Sequence, residues 1–329
     1  MQPDSQSFAQ TIVIGGGSGI GAAVVRALAA KNIPARAISR HCRQEISQDG
    51  KTEFYPADVL HRDELIAACH GAQRIYYCAN APYHQWAELL PAMLENVIAA
   101  AARANAQLII ADNLYMYPPL AGSITEALPY APITRKGAIR AQLSEKILAE
   151  HKKGSIRAVI GCAPDYYGPN AFNSLIVNTR TINALRNHKA LPWMVSADQP
   201  HAIIYVDDFA EGLLTLAQQE KALGEIWHIP SPQAITGRQF LTILQEEYTA
   251  QTGAQLSGDS VKIQVIAPWM LLAAGIFDPI VREIYEMRYE FDRPYLVDTT
   301  KFTQAFGAFT PTPHRLAIRQ TLRSVQLKK

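Results

Sequence analysis

The sequence predicts an α/β fold, a Rossmann-type doubly wound parallel sheet with a smaller, discontinuous C-terminal substrate lobe. Three observations predict it. Residues 11–28, TIVIGGGSGIGAAVVRAL, read as a buried strand, a glycine turn and a helix. Short, nearly all-apolar runs then alternate with helical patterns as far as residue 161, as strands covered on both faces do. Beyond about residue 170 that alternation loosens, which marks a second lobe built from mixed elements.

The first unit carries the most chemistry. Thr11, Ile12, Val13 and Ile14 form an apolar, mostly β-branched run, and the glycines at 15, 16, 17, 19 and 21 interrupt it before an alanine- and valine-rich helix. Glycine there allows a tight turn and a close approach of backbone to a pyrophosphate, and the helix N-terminus offers free N–H groups to the phosphates. Gly15, Gly17, Ser18, Gly19, Ile20 and Gly21 are therefore the candidate cradle of a dinucleotide. The next strand is expected over 34–39, and it ends in Ser39-Arg40 about twenty residues after the turn. An acid at that place accepts from the ribose 2′-OH of NAD, whereas an arginine accommodates the 2′-phosphate of NADP. With no Asp or Glu before Glu45, NADP(H) is favoured and NAD(H) is the alternative.

Further strands are expected over 52–57, 73–78, 108–111 and 156–161, with helices over 61–69, 86–101 and 136–152. Ligands of such sheets sit at the carboxyl ends of the strands. That rule selects Asp58 and Val59, then Cys78, Ala79 and Asn80, as cofactor contacts, with Tyr83 and His84 on the loop that follows. It also selects Asn113 and Tyr115 after the fifth strand. Tyr117 after that strand and Tyr167 after the sixth are, with Tyr83 and His84, the expected substrate contacts. His201 stands just before another short apolar run and is a candidate pocket residue. In the second lobe, helices are expected near 171–188, 207–220, 236–250 and 279–289, and strands near 202–206, 225–229 and 261–266. The division is a flexible leader over 1–9, a dinucleotide-binding domain over 10–170, and a lobe over 171–329 with some segments returning to the first domain.

The 329 residues suffice for a sizeable core, and 48% hydrophobic with 18% charged residues is ordinary globular composition. A net charge of +2 gives no reason to expect nucleic acid or a membrane as partner. The four cysteines, Cys42, Cys69, Cys78 and Cys162, form no CxxC pair, which fits a reducing, cytoplasmic setting. No HExxH, zinc spacing, GxSxG elbow or GxxxxGK loop occurs, so no metal is expected and the partner is a small-molecule substrate, with a homodimer compatible.

Taken together, these residues resemble the extended short-chain dehydrogenase/reductase superfamily of the NAD(P)-dependent epimerase/dehydratase type. The resemblance rests on the glycine turn, Asp58, Tyr117, Tyr167-Gly168-Pro169, Tyr205-Val206-Asp207-Asp208 and Asp298-Thr299-Thr300-Lys301. It implies an acid/base tyrosine and a lysine four residues apart on the helix after the fifth strand, with a Ser or Thr from that strand. Anchored on Glu145, those places fall on Gly137, Ala141 and Asn113, and no Tyr-xxx-Lys exists between 105 and 160. Lys136-Gly137-Ala138-Ile139-Arg140 is similar to isoflavone-reductase-like and NmrA-like proteins, in which a lysine serves without the tyrosine. The resemblance thus implies an NAD(P)-dependent oxidoreductase acting by hydride transfer, with Lys136, Tyr115 and Asn113 as its catalytic set. A silent NADP(H)-binding sensor and an NAD-dependent epimerase/dehydratase are the alternatives. Gly137 and Ala141 are expected to leave an open volume beside the nicotinamide. The charged, aromatic stretch from Glu283 to Phe291 is expected to close the pocket or form a subunit contact.

Overall fold

The computed structural model describes residues 8–17, 19–253 and 261–326. Seven parallel strands form the central sheet: β1 (Thr11–Ile14), β2 (Ala35–Ser39), β3 (Thr52–Pro56), β4 (Arg74–Tyr77), β5 (Gln107–Asp112), β6 (Arg157–Cys162) and β7 (Ile226–His228). Their order is β7-β6-β5-β4-β1-β2-β3, with the two-residue strand Glu45–Ile46 antiparallel on the outer edge. The chain therefore starts in the middle, runs outward to β3 and returns to the other side of β1. The crevice at that reversal, between β1 and β4, is where doubly wound sheets take their ligands.

Alternation within the strands sorts the core into two layers. Val13, Ala37, Tyr76, Ile109 and Val159 pack on one face with α1 (Gly19–Ala30) and α5 (Val206–Ala217). Ile12, Ile14, Ile38, Ile75, Ile110 and Ile160 pack on the other with α2 (Arg62–Ala68), α3 (Trp86–Ala104) and α4 (Arg135–Lys152). Helix α5 and strand β7 are the segments that return from the second half of the chain to complete the first domain.

The remaining lobe is assembled from short pairs. Ile203–Tyr205 runs parallel to Asp165–Tyr167, Leu191–Met194 parallel to Ile263–Ile266, and Leu296–Val297 parallel to Ser123–Ile124. The helix expected over 171–188 is confined to Thr179–Arg186. Asn178 caps it by accepting from Thr181 N–H at 3.1 Å, and the Ser174 hydroxyl captures the N–H groups of Ile176 and Val177 in a turn just before. Strand Leu191–Met194 and helices Pro268–Ala274, Thr300–Phe306 and His314–Gln326 were not expected from the sequence. Of the leader expected over 1–9, residues 1–7 lie outside the described residues, and Phe8 and Ala9 are not free: both are buried in the domain.

Strands β2 and β3 are locked by charge as well as by apolar packing. Arg36 and Glu53 are direct cross-strand partners, and the guanidinium Nε donates to Glu53 Oε2 at 2.7 Å. Arg36 also donates to the Ala68 carbonyl at 2.8 Å, which ties the end of α2 to the sheet, and lies 4.6 Å from the Tyr55 ring centroid. Removing one member of a buried pair strands the other without water or partner. Glu53→Ala is expected to cost about 3–5 kcal/mol, read as a drop in the denaturant midpoint. An effect below about 1 kcal/mol would place the pair with exposed ion pairs instead.

Candidate active site

The cradle residues converge at the carboxyl ends of β1, β2 and β4. Gly15 adopts φ +87°, and a Cβ there would lie 2.6 Å from Ala79 N, so the turn rests directly on the exit of β4. A Cβ on Gly21 would collide with the Gly15 carbonyl, which is how α1 packs against its own entry turn. Gly17 faces the Ser39 hydroxyl, and Arg40 is exposed immediately after β2. Gly19 N–H is already taken by the Asn170 carbonyl at 2.9 Å, so it is not a free phosphate donor. Ile20 is partly buried against the core, and Ser18 lies outside the described residues. Asp58 accepts from Leu60 N–H at 3.0 Å, and the Val59 carbonyl is held by Asn96 at 3.0 Å. Packing that only glycine allows, at the ends of strands and the start of a helix, fits a dinucleotide.

At the ends of β4 and β5 the side chains assemble around Arg140. Its guanidinium pairs with Asp112 at 3.1 Å, donates to Asn80 Oδ1 at 3.1 Å and lies 4.3 Å from the Trp86 ring centroid. Arg140 Nε, buried, has no protein partner and is left as a donor. Burial outweighs Arg140 at Asp112 and holds that carboxyl above the ordinary carboxylate value. Asn113 turns back to accept from Tyr115 N–H at 3.1 Å, so its side chain shapes the loop. The Tyr115 hydroxyl lies 3.0 Å from that of Tyr83, and burial pushes both phenols up, which keeps them neutral donors.

Lys136 is 1% exposed, and its ammonium is bonded to both Glu283 and Glu286 of helix Pro279–Glu286. The same Glu286 accepts from Lys136 N–H at 3.1 Å, and Arg135 reaches Glu283 at 3.2 Å. The open volume expected at Gly137 and Ala141 does not exist. A Cβ on Gly137 would strike the Tyr115 carbonyl and lie 2.7 Å from Pro132 Cβ, while Ala141 is 7% exposed. The groups that reach the sheet end are instead Lys136 and Arg140, one turn apart on α4 and one residue earlier than the expected pair.

Three expected substrate contacts are packing residues. Tyr117 is 2% exposed between Tyr130 and His228, with its hydroxyl 3.3 Å from His228 Nε2. Tyr167 is fully buried, its hydroxyl 3.1 Å from His314 Nδ1 and its ring against Phe240. His201 stacks on the rings of Phe291 and Tyr295, with Nε2 2.9 Å from Asp165. Tyr83 does join the site, whereas His84 is exposed beside it. Cys78 is pushed up to about 12 by burial and is a thiol, not a nucleophilic thiolate.

Two acids were missed. Asp165 follows β6 by three residues, where the sheet rule alone points to it, and Glu290 had no signal beyond its charged stretch. Glu290 is 1% exposed, neither oxygen has a partner in ordinary geometry, and burial together with Asp165 pushes it well above a normal carboxylate. A cavity of about 10 Å³ between Leu114, Tyr117, Tyr289 and Tyr295 has room for one water.

Burial raises the Glu283 carboxyl, but Lys136 and Arg135 more than offset this and leave it lowered. A carboxyl lowered in the folded state stabilises above its unfolded value, and that contribution is lost as pH falls through the folded value. The seating of helix Pro279–Glu286 on α4 is therefore expected to weaken on acidification, read as lower amide protection factors in that helix, corrected for the intrinsic exchange rate at each pH. In Lys136→Met the Lys136 contribution is lost and Arg135 alone still bonds Glu283, so the loosening on acidification should be smaller than in the unaltered protein. Protection factors independent of pH in both proteins would dismiss the ion pairs as the clamp.

Comparison with known proteins accords with this fold. Over 105 residues the chain is 30% identical to dTDP-glucose 4,6-dehydratase of Escherichia coli, a match that covers 32% of this chain and 28% of the relative. A DesIV double mutant, a dTDP-glucose 4,6-dehydratase from Streptomyces venezuelae with NAD bound, superposes with a TM-score of 0.73 at 19% identity over 97% of each chain. UDP-N-acetylglucosamine 4-epimerase from Bacillus cereus gives 0.73 at 14% identity, over 97% of this chain and 96% of that one. At such identities the likeness is one of fold. The family model of the NAD dependent epimerase/dehydratase family matches residues 11–229, and the chain belongs to that family.

Proposed function

We propose that the protein is an NAD(P)-dependent enzyme whose turnover includes hydride exchange with a small hydroxylated or carbonyl substrate. That step is common to simple oxidoreductases and to epimerases and dehydratases. The observation that carries the reading is the pairing of Lys136 and Arg140 on one face of α4, both delivered to the carboxyl end of the sheet. When bound, the nicotinamide would supply or accept the hydride at the carbon bearing oxygen. The glycine turn would hold the pyrophosphate, and Arg140 Nε, the donor without a protein partner, would serve the adjoining ribose. Lys136, with the Tyr83–Tyr115 hydroxyl pair beside it, would handle the proton at the substrate oxygen. Ser39 and Arg40 support NADP(H), although the solved relatives named above include one with NAD bound.

A second reading is a silent NADP(H)-binding sensor. It is favoured by the engagement of Lys136 with two carboxylates of the covering lobe. Turnover separates the two readings. With NADP(H) or NAD(H), and a panel of carbonyl compounds, sugars and dTDP-glucose, Lys136→Met should lower the rate by ~10²–10⁴-fold and leave cofactor affinity within a few-fold. Lys136→Arg should not restore it, because a guanidinium does not release its proton. Full activity in Lys136→Met would move the proton to Tyr115, and cofactor binding without turnover of any substrate would favour the sensor.

Cofactor choice is tested separately. A phosphate–arginine contact contributes about 1.5–3 kcal/mol, so NADPH should bind about tenfold or more tightly than NADH. Arg40→Ala should remove most of that difference. Equal affinities in the unaltered protein would assign the site to NAD.

A further inference from the structure

Nine large apolar side chains are exposed among the described residues, and six of them fall between residues 265 and 280. They are Val265, Trp269 (70% exposed), Leu272 (56%), Ile276 (75%), Phe277 (88%) and Ile280 (54%). Trp269 and Leu272 stand three residues apart on helix Pro268–Ala274, Ile276 and Phe277 lie in the turn that follows it, and Ile280 is in the first turn of the next helix. Helix Pro268–Ala274 buries Leu271 alone, and helix Pro279–Glu286 buries Glu283 alone. An ordinary surface helix hides its apolar side and shows its charges. This hairpin leaves its largest apolar side chains exposed and turns two glutamates inward, with Val281, Ile284 and Tyr285 packed partly on the core.

The charges are sorted as well. Glu283 and Glu286 turn inward to Lys136, and Glu290 is buried. Arg282 and Lys262 are exposed around the hairpin, Arg135 is 60% exposed at its base, and exposed Arg180 bonds to Gln264 beside Val265. Among the described residues from 261 to 291, Asp278 is the one exposed acid, and its carboxylate is occupied in capping Ile280 N–H at 2.8 Å. We propose that the hairpin 268–286 docks on an anionic lipid surface, its apolar side at the acyl boundary and its basic rim at the headgroups. Tryptophan and phenylalanine on an apolar side flanked by arginine and lysine are the composition of interfacial, not spanning, elements. No described helix is long and apolar enough to cross a membrane. A second copy of the chain is a poorer occupant, because a two-fold contact through this side would bring two basic rims together. The inference is independent of which reaction the site performs.

The test is co-sedimentation of the full chain with vesicles of phosphatidylcholine, with and without phosphatidylglycerol, alongside its mass by light scattering. The protein is expected to bind the anionic vesicles preferentially, to release with added salt and to be monomeric without lipid. Ile276→Ser with Phe277→Ser should lower partitioning by at least tenfold without lowering the melting temperature, since both side chains are exposed. Asp278→Asn keeps the cap but removes the acid, and should raise partitioning about five-fold. Absence of binding to anionic vesicles, equal binding to neutral ones, or indifference to the double substitution would overturn the proposal. So would a dimer that the double substitution dissociates, which would make the second copy the occupant.

Discussion

A primary ammonium ion shut away from water is the constraint on which the two halves of this molecule depend. Lys136 at 1% exposure is tolerable only because carboxylates reach it, since an isolated buried ammonium costs several kcal/mol. Both carboxylates come from a helix almost 150 residues later in the chain, so the second lobe has one way to seat on α4. The position of α4 is itself tightly determined. Thr134 caps it by accepting from Gly137 N–H at 3.0 Å, and Gly137 leaves no room between the helix and the Tyr115 carbonyl. Arg135, Lys136 and Gly137 therefore form one unit with Glu283 and Glu286, although the sequence presents them as unrelated stretches.

That unit changes how the family's chemistry reads in this chain. A tyrosine acid/base depends on a nearby cation to favour its phenolate. Here Tyr83 and Tyr115 have burial and each other, which favours the neutral phenol and a donating role. Arg140 stands one residue before the place expected for a lysine, and its fixed charge is spent on Asp112 and Asn80 while Nε has no protein partner. Lys136, by contrast, is held by both Glu283 and Glu286 of the covering helix, so its ammonium is engaged by the second lobe.

What could be read beforehand was local chemistry. The glycine turn, the sheet from β1 to β6 and the approach of Asn80, Tyr83 and Tyr115 all follow from spacing and from the carboxyl-end rule. The errors have a common physical origin in distant partners. Tyr117, Tyr167 and His201 are polar rings near strand ends and so resemble ligand contacts. Each is satisfied by a group far along the chain: His228, His314 and Asp165. Gly137 was read as a vacancy because a sequence does not disclose the backbone pressed against it. The helix expected from 171 was cut short by side chains that capture backbone N–H groups, a competition that apolar periodicity does not register.

Overall charge hides a comparable arrangement. A net +2 spread evenly would leave no face with a preference, and from that figure alone no membrane contact follows. Yet helix Pro279–Glu286 turns Glu283 and Glu286 toward Lys136 and leaves Ile280 and Arg282 exposed. The inward acids cannot turn outward without stranding Lys136 in the interior. The orientation that keeps both acids on Lys136, with Val281 and Ile284 packed partly on the core, is the one that leaves Ile280 and Arg282 at the surface.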